Sequence, residues 1–299
     1  MTLSRPLAAL ITGQVPQDGR RAYPWGATLV RQSYTSDGPQ LGVLSSAICL
    51  VAQGAKRVTL DGKDYNYDED HLIVSSVDVP VSYQLVRASA AEPFLCLRLA
   101  LDPARIAPLM LKVFPEGLPS KAPATAIGVT DTDSGIRDAA YRFVEALADP
   151  RDAGVLAGLA YDELVVRLLR SPLGPRIAQT SVADSAALGI ARATTWLKDH
   201  FAEAVKVEDL ARLAYMSVSS FHLHFRAVTA QSPLQYQKAL RLQEARRLLL
   251  AEALDAGTAG NRVGYASPSQ FSREYSRYFG QSPTRDVSLV RGQPSPVSA

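Results

Sequence analysis

The chain has 299 residues, of which 47% are hydrophobic and 20% charged, and a net charge of +3. This is the make-up of a soluble globular protein long enough for two cored domains, and no apolar run is long enough to span a bilayer. Two cysteines, Cys49 and Cys96, lie in apolar strand-like stretches with no CxxC spacing and no Cys/His cluster, the pattern of buried free thiols in a reducing cytoplasm.

In chain order, Met1–Gly13 is apolar at Leu3, Leu7, Leu10 and Ile11 but carries Arg5 and Pro6, and reads as a short amphipathic helix rather than a signal peptide. Ser45–Leu101 reads as β structure, with strands predicted at Ala47–Ala52, Lys56–Leu60, Lys63–Tyr67, Leu72–Ser75, Val81–Arg87 and Phe94–Leu101. Asp61-Gly62 is a two-residue hairpin signal. Six short strands at close spacing suggest a small barrel or sandwich. Asp102 caps and Pro103 opens a helix to about Phe114. Pro115–Ala126 reads as a loop. Thr132–Ala148 and Val155–Leu169 have helical periodicity, the second with Leu156, Leu159, Leu164, Val165 and Leu168 on or near one face. Ser171–Asp184 reads as a linker, Ala186 to about Phe279 as helical, and Gly292–Ala299, rich in Pro and Ser, as a disordered tail.

The charge divides unevenly. From Ala186 onward there are 14 Lys and Arg against 9 Asp and Glu, and the rest of the chain has 18 against 20. The positive excess therefore lies wholly in the helical part, as expected if that part meets phosphate.

That part contains a repeat. Arg212–Pro233 aligned without gaps on Arg262–Pro283 gives eight identities in 22 positions, at an offset of fifty residues. They are Arg212/Arg262, Tyr215/Tyr265, Ser217/Ser267, Ser219/Ser269, Phe221/Phe271, Gln231/Gln281, Ser232/Ser282 and Pro233/Pro283. In the first copy Val207–Ala214 is a short helix and Tyr215-Met216-Ser217 a turn. Ser217 caps a second helix whose apolar positions are Val218, Phe221, Phe225 and Val228, which leaves Ser219, His222, Leu223 and Arg226 on another face. In the second copy Phe271, Tyr275, Tyr278 and Phe279 face inward and Ser269, Gln270, Ser272, Arg273 and Arg277 outward. Gln suits adenine and Arg suits guanine by bidentate geometry, so the second copy is the richer reader of a major groove. A helix from Ser232 to about Ala253 joins the copies, with charge from Lys238, Arg241, Arg246 and Arg247. Its length of roughly 27 Å, plus the flanking helices, places two reading helices about one turn of B-DNA apart. A plain bundle with a duplicated helical hairpin also fits the aromatic spacing; the matching Gln-Ser-Pro helix starts and capping serines favour two helix-turn-helix units.

Ala186–Val287 resembles the DNA-binding domain of AraC/XylS-type transcription regulators. The resemblance is carried by Val207-x-x-Leu210-Ala211-x-x-Ala214-x-Met216-Ser217, Phe221-x-x-x-Phe225-Arg226, Gln231-Ser232-Pro233, Arg241-Leu242-x-x-Ala245-Arg246 and Val263-Gly264-Tyr265-x-Ser267. The glycine-rich Gly257–Asn261 departs from the family pattern and predicts a short or frayed helix, because Gly costs about 1 kcal/mol there. The family's aromatic-Arg pair after Pro283 is missing, with Arg285 as a stand-in for the Arg. Upstream, Leu50–Arg57, Tyr65-x-Tyr67-Asp68, Ser75–Pro80 and Leu97–Pro103 resemble the N-terminal domain of one subfamily. That resemblance implies a cupin-like barrel with accessory helices that senses a small molecule, and dimerisation through the helices of Thr132–Leu169.

The fold expected is thus α+β: residues 1–175 a cupin-like sensor and dimerisation domain with helices at 103–114, 132–148 and 155–169, then a linker at 176–185. An all-α domain at 186–287 follows, with two helix-turn-helix units joined by a long helix, then a disordered tail at 288–299. The function expected is a cytoplasmic, sequence-specific transcription regulator, an activator, that binds promoter DNA. RNA polymerase, an unknown small-molecule effector and a second copy of the chain are the expected partners, and no membrane. The effector candidates are Tyr65, Tyr67, Tyr83 and Arg98, with Gln84, Ser75, Ser76 and Asp78 nearby; alternation alone leaves the inward face open. No enzyme, cofactor or metal is expected: of four histidines only His71 is in the barrel, too few for a metal cupin, and Asp68–His71 reads as a solvated turn. Two alternatives stay open, a DNA-recruited enzyme with a reactive cysteine and a co-regulator that binds only proteins.

Overall fold

The structure, a computed structural model, describes residues 4–36, 38–118, 125–182 and 185–291. Leu3 and residues 292–299 of the expected tail lie outside the described residues, whereas 288–291, also expected in that tail, are helical. The β-rich half contains β1 (Gly19–Ala22), β2 (Ala27–Gln32), β3 (Gln40–Leu44), β4 (Ala47–Gln53), β5 (Ala55–Leu60), β6 (Lys63–Asp68), β7 (His71–Ser75), β8 (Val79–Arg87), β9 (Phe94–Ala100) and β10 (Ile127–Asp131). They form two antiparallel sheets, ordered β1-β2-β9-β4-β7-β10 and β3-β8-β5-β6. Asp61 and Gly62 join β5 to β6 with φ of 51° and 73°, the left-handed pair that the Asp-Gly signal predicts.

The two sheets are patterned differently because their surroundings differ. In β4 every residue from Ala47 to Ala52 is buried. Cys49 and Val51 face the opposite sheet, whereas Ile48, Leu50 and Ala52 join Leu72, Val74, Leu95 and Leu97 under a layer of helices. Both faces are covered, so the strand reads as a continuous apolar run. In β6 only Tyr65 and Tyr67 are fully buried, and the strand alternates.

The covering layer is α1 (Ser4–Gln14), α2 (Pro103–Val113), α3 (Ser134–Ala148) and α4 (Leu156–Arg170). Asp102 caps α2 by accepting from the Ala104 amide, and Asp133 caps α3 by accepting from that of Ile136. The buried face of α4 is Ala157, Tyr161, Leu164, Val165, Leu168 and Leu169. Leu156 and Leu159, predicted on that face, are instead 48% and 64% exposed. The small Ala157 and Gly158 let the helix approach the barrel, and Trp25 lies where a side chain on Gly158 would go. A helix α5 (Gly174–Gln179) occupies part of the stretch read as linker.

The helical half contains α6 (Ala186–Asp199), α7 (Val207–Leu213), α8 (Val218–Thr229), α9 (Pro233–Ala251), α10 (Ala256–Arg262), α11 (Pro268–Phe279) and α12 (Pro283–Arg291). The expected architecture, an N-terminal β-barrel with accessory helices followed by two helix-turn-helix units on a long helix, is the one observed. Its cores are unequal. Ile190, Leu197, Phe221, Phe225, Tyr236 and Leu240 of the first unit belong to one apolar cluster with the barrel interior, whereas Leu242, Leu248, Val263, Phe271 and Tyr275 form a separate core for the second.

Two basic residues of α9 build this half rather than face solvent. The Arg241 guanidinium donates to the carbonyls of Phe201, Ala202, Glu203 and Gly264, tying the loop before α7 to the second turn. Arg246 pairs with Asp286, which is fully buried and also accepts from Tyr275 Oη at 2.7 Å and Gln281 Nε2 at 2.7 Å. Asp286, not Arg285, is the residue after Pro283 that closes the second unit. The glycine-rich α10 is as long as α7, with seven residues, and Asp255 caps it. A Cβ on Gly260 would stand 3.0 Å from the Phe271 ring, so this glycine permits close packing of α10 on α11.

Burial alone would raise the Asp286 carboxyl pKa, but the hydrogen bonds from Arg246, Tyr275 and Gln281 and the Arg246 charge outweigh it and hold it below the usual carboxylate range. Its stabilisation is therefore complete above about pH 4 and is lost as pH falls through the lower native value. Asp286→Asn, which leaves Arg246 without its counter-charge, should destabilise the second unit by about 3 kcal/mol and remove this acid dependence. Hydrogen exchange of the α10–α12 amides between pH 3 and 7, taken as a range around the carboxylate pKa, measures both effects.

Candidate nucleic-acid interface

The fifty-residue repeat is realised as two matching helices. Ser217 caps α8 by accepting from the Ser220 amide, and Ser267 caps α11 by accepting from that of Gln270. Both helices end in a left-handed residue, Ala230 at φ 62° and Gly280 at φ 77°. Edge and tilted ring contacts hold the inner faces: Phe221 with Phe225 at 5.3 Å, Phe225 with Tyr236 at 5.4 Å, and Phe271 with Tyr275 at 5.5 Å. The opposite faces are open. Ser219, His222, Leu223 and Arg226 on α8 are exposed, as are Ser269, Gln270, Arg273 and Arg277 on α11, with Ser272 half-buried. Val218, expected inward, is partly exposed at the helix start. Gln270 Nε2 donates to Glu274 at 3.2 Å and Arg273 Nε to the Ser269 carbonyl at 3.3 Å, so both side chains are held against the helix.

The first unit is docked on the barrel through Asp78. Its carboxylate accepts from the Ser46 amide at 2.6 Å and from Lys198 Nζ at 2.7 Å, and its carbonyl accepts from Tyr236 Oη at 2.5 Å. Burial and the nearby Asp78 push the Tyr236 phenol far above its usual range, so it remains a donor. The Ala126 amide also donates to the Val228 carbonyl at the end of α8.

A cavity of about 740 Å³ lies between the two sheets and reaches α6 and α9. Of the predicted effector residues, Tyr67, Tyr83 and Arg98 line it; Tyr65 is buried further along the same face and does not. Ser75, Ser76 and Asp78 lie outside it. Sequence reasoning missed Lys56, Phe94 and the thiols of Cys49 and Cys96 on its wall, and Leu240, Gln243 and Arg247 contributed by α9. Only Lys56 carried a signal, a charge within an otherwise alternating strand. Its ammonium sits 4.4 Å over the Tyr83 ring, and burial lowers its pKa. Burial also raises the pKa of the Tyr67 and Tyr83 hydroxyls. Among the described residues Arg20, Lys56 and Arg98 of the lining make no ion pair, and no group of His, Cys, Asp and Glu is placed to hold a metal.

Residues 26–176 match the family described as AraC-type transcriptional regulator N-terminus, which is half of the chain. The chain belongs to the AraC-type transcriptional regulators. Residues 210–286 match a helix-turn-helix domain. This regulator is similar to the HTH-type transcriptional activator RhaS of Salmonella arizonae, 32% identical over 147 residues, which is 48% of this chain and 50% of that one. It is also similar to the RCS-specific HTH-type transcriptional activator RclR of Escherichia coli K12, 42% identical over 85 residues, which is 28% of this chain and 30% of that one. The chain spans half or less of the length of the curated relatives it matches. In fold it is similar to ToxT of Vibrio cholerae, with a TM-score of 0.54 at 10% identity over 90% of this chain and 99% of that one. The family consists of transcription regulators, not enzymes. No helix among the described residues of this AraC-type chain is long and apolar enough to cross a membrane.

Ala230 holds a left-handed conformation that its counterpart Gly280 adopts without strain. Ala230→Gly should therefore raise stability by about 1 kcal/mol in urea unfolding. A loss of stability would mean that the Ala230 methyl contributes more through packing than its backbone costs.

Proposed function

We propose that this AraC-type chain activates transcription by reading promoter DNA with α8 and α11, in response to a small amphipathic anion held in the cavity. The observation that carries the first half is that both recognition helices have the same cap, the same end and the same buried aromatic face, with polar and basic side chains left exposed on each. In that role Gln270 and Arg273 read base edges, with Ser219, His222, Leu223, Ser269 and Ser272 beside them, and Arg226 and Arg277 meet phosphates.

The cavity supports the second half. Its walls are largely apolar, and Arg20, Lys56 and Arg98 lack ion-pair partners among the described residues, so a carboxylate or similar anion on an apolar body suits it. The structural neighbours include ToxT bound to an unsaturated fatty acid, a ligand of the same chemical type. Because α9 forms part of the wall, an occupant would bear on how the first unit docks. In this reading residues 1–175 sense and dimerise, 176–185 link, and 186–287 bind DNA, in the cytoplasm and in contact with RNA polymerase. The exposed Leu156 and Leu159 on α4 and Leu111 on α2 offer an apolar surface for a second copy.

Selection from random duplexes supplies the operator. Gln270→Ala and Arg273→Ala should each cost about 1–3 kcal/mol on it and far less on random DNA. Arg226→Ala should weaken both alike and flatten the salt dependence by about one. Equal losses for all three variants on both duplexes would refute base reading by α11. For the cavity, a series of alkyl and aryl carboxylates should raise the thermal midpoint where the matching alcohols do not. Arg98→Ala should abolish that rise without moving the midpoint of the free protein. Equal stabilisation by acids and alcohols would refute the anion class.

A further inference from the structure

Two thiols share the wall of the cavity. The ladder between β4 and β9 pairs Cys49 with Arg98 and Val51 with Cys96, so the cysteines are diagonal neighbours on the same face of adjacent strands. Both are buried and free, and both line the cavity. We propose that Cys49 and Cys96 are a hydroperoxide-reactive dithiol that closes to an intrachain disulfide in the cavity wall.

The surroundings divide the roles. The hydrogen bond from Cys96 lowers the Cys49 pKa, burial opposes it, and the charges of Arg98 and Lys56 reinforce it, leaving the Cys49 thiol at about 7. Cys96 is pushed well above its usual range and keeps its proton. Around the pair stand Arg98 from β9, Lys56 from β5 and the Tyr67 hydroxyl from β6, while Ile73 of β7, opposite Cys49, is apolar. The Cys49 thiolate attacks one peroxide oxygen; the O–O bond breaks, and the departing hydroxide takes a proton from solvent to leave as water. The Cys96 thiol then attacks the Cys49 sulfenic sulfur, and its proton leaves with the hydroxyl as a second water. The thiols lose two electrons and the peroxide gains them.

A disulfide spans Cα atoms up to about 6.8 Å apart, and diagonal strand neighbours sit at roughly 7–8 Å, so β4 must shift slightly against β9. The ladder is already irregular at that point. Its register shifts between Val51 and Gln53, next to the Val51–Cys96 pair, and this bulge lets β4 yield there.

The test treats the full chain with stoichiometric hydrogen peroxide and follows free thiols and peptide masses. Both thiols should disappear together, a Cys49–Cys96 cross-linked peptide should form within one chain, and dithiothreitol should abolish the cross-link and restore both thiols. Cys49 should react roughly tenfold faster at neutral pH than in the urea-unfolded chain, with a rate that rises through about pH 7. Cys96→Ser should stop at a Cys49 sulfenic acid trapped by dimedone, and Cys49→Ser should leave Cys96 unreacted. Alanine at either position should give the same pattern, which separates lost chemistry from a disturbed core. Oxidation no faster than in the unfolded chain, a cross-link between two chains, or Cys96 reacting first would overturn the proposal.

Discussion

One carboxylate holds the geometry on which this regulator depends. Asp78 ends the turn into β8 and is engaged from both halves: its oxygens take the Ser46 amide from the barrel and Lys198 from α6, and its carbonyl takes the Tyr236 hydroxyl from α9. Around it the apolar core runs without a break from the barrel interior into the first helix-turn-helix unit. A buried polar cluster of this kind contributes position more than net stability, because each group exchanges water for a fixed partner. The first recognition helix is thereby placed with respect to the barrel, and any change in the barrel wall reaches it through packed side chains.

The second unit stands under different control. Its core is its own, closed by Asp286 between Arg246, Tyr275 and Gln281, and its tie to the first unit is Arg241 spread over four carbonyls. The two recognition helices are therefore unequal in what they sense. The barrel bears on α8 directly, while α11 is linked to it through α9 and through the loop before α7, whose Phe201 packs on both cores. The same α9 lends Leu240, Gln243 and Arg247 to the cavity, so one helix both lines the cavity and joins the two helix-turn-helix units. Coupling of this form needs no long relay: an occupant that favours one docking of α9 over another shifts the helix that it touches.

How much of this was legible in the sequence varied with the range of the cause. The hairpin at Asp61-Gly62, the caps at Asp102, Ser217 and Ser267, and the aromatic faces of α8 and α11 are local, and the residues announce them. Strands β1, β2, β3 and β10 were not legible. Gly19–Ala22 is polar and wholly exposed, and it becomes a strand only because β2 is there to pair with it. The leucines of α4 misled because periodicity marks a stripe without saying where it points; Ala157 and Gly158 decide that by letting the helix approach Trp25. Gly260 read as a weakness and proved a contact, since the ring it meets is eleven residues away in sequence. The basic residues of α9 read only as charge on the joining helix, and the structure binds Arg241, Arg246 and Arg247 to protein carbonyls and carboxylates. In the cavity, three of four effector candidates reached the wall, and the α9 contribution could not be foreseen because it comes from the other half of the chain.

The joining helix has a further consequence. A helix converts length into angle: each residue added to the 19 of α9 would lengthen it by about 1.5 Å and turn the second unit by roughly 100° about the axis. In the proposed reading, a single insertion would leave α11 facing away from the groove that α8 faces, whatever the quality of its side chains. About seven residues, close to two turns, would nearly restore the facing, but at the cost of some 10 Å of extra reach. On that reading, drift in operator spacing cannot be followed by this protein in small steps. The base sequence within each half-site is free to evolve side chain by side chain, while the phase between the half-sites is locked by the pitch of one helix.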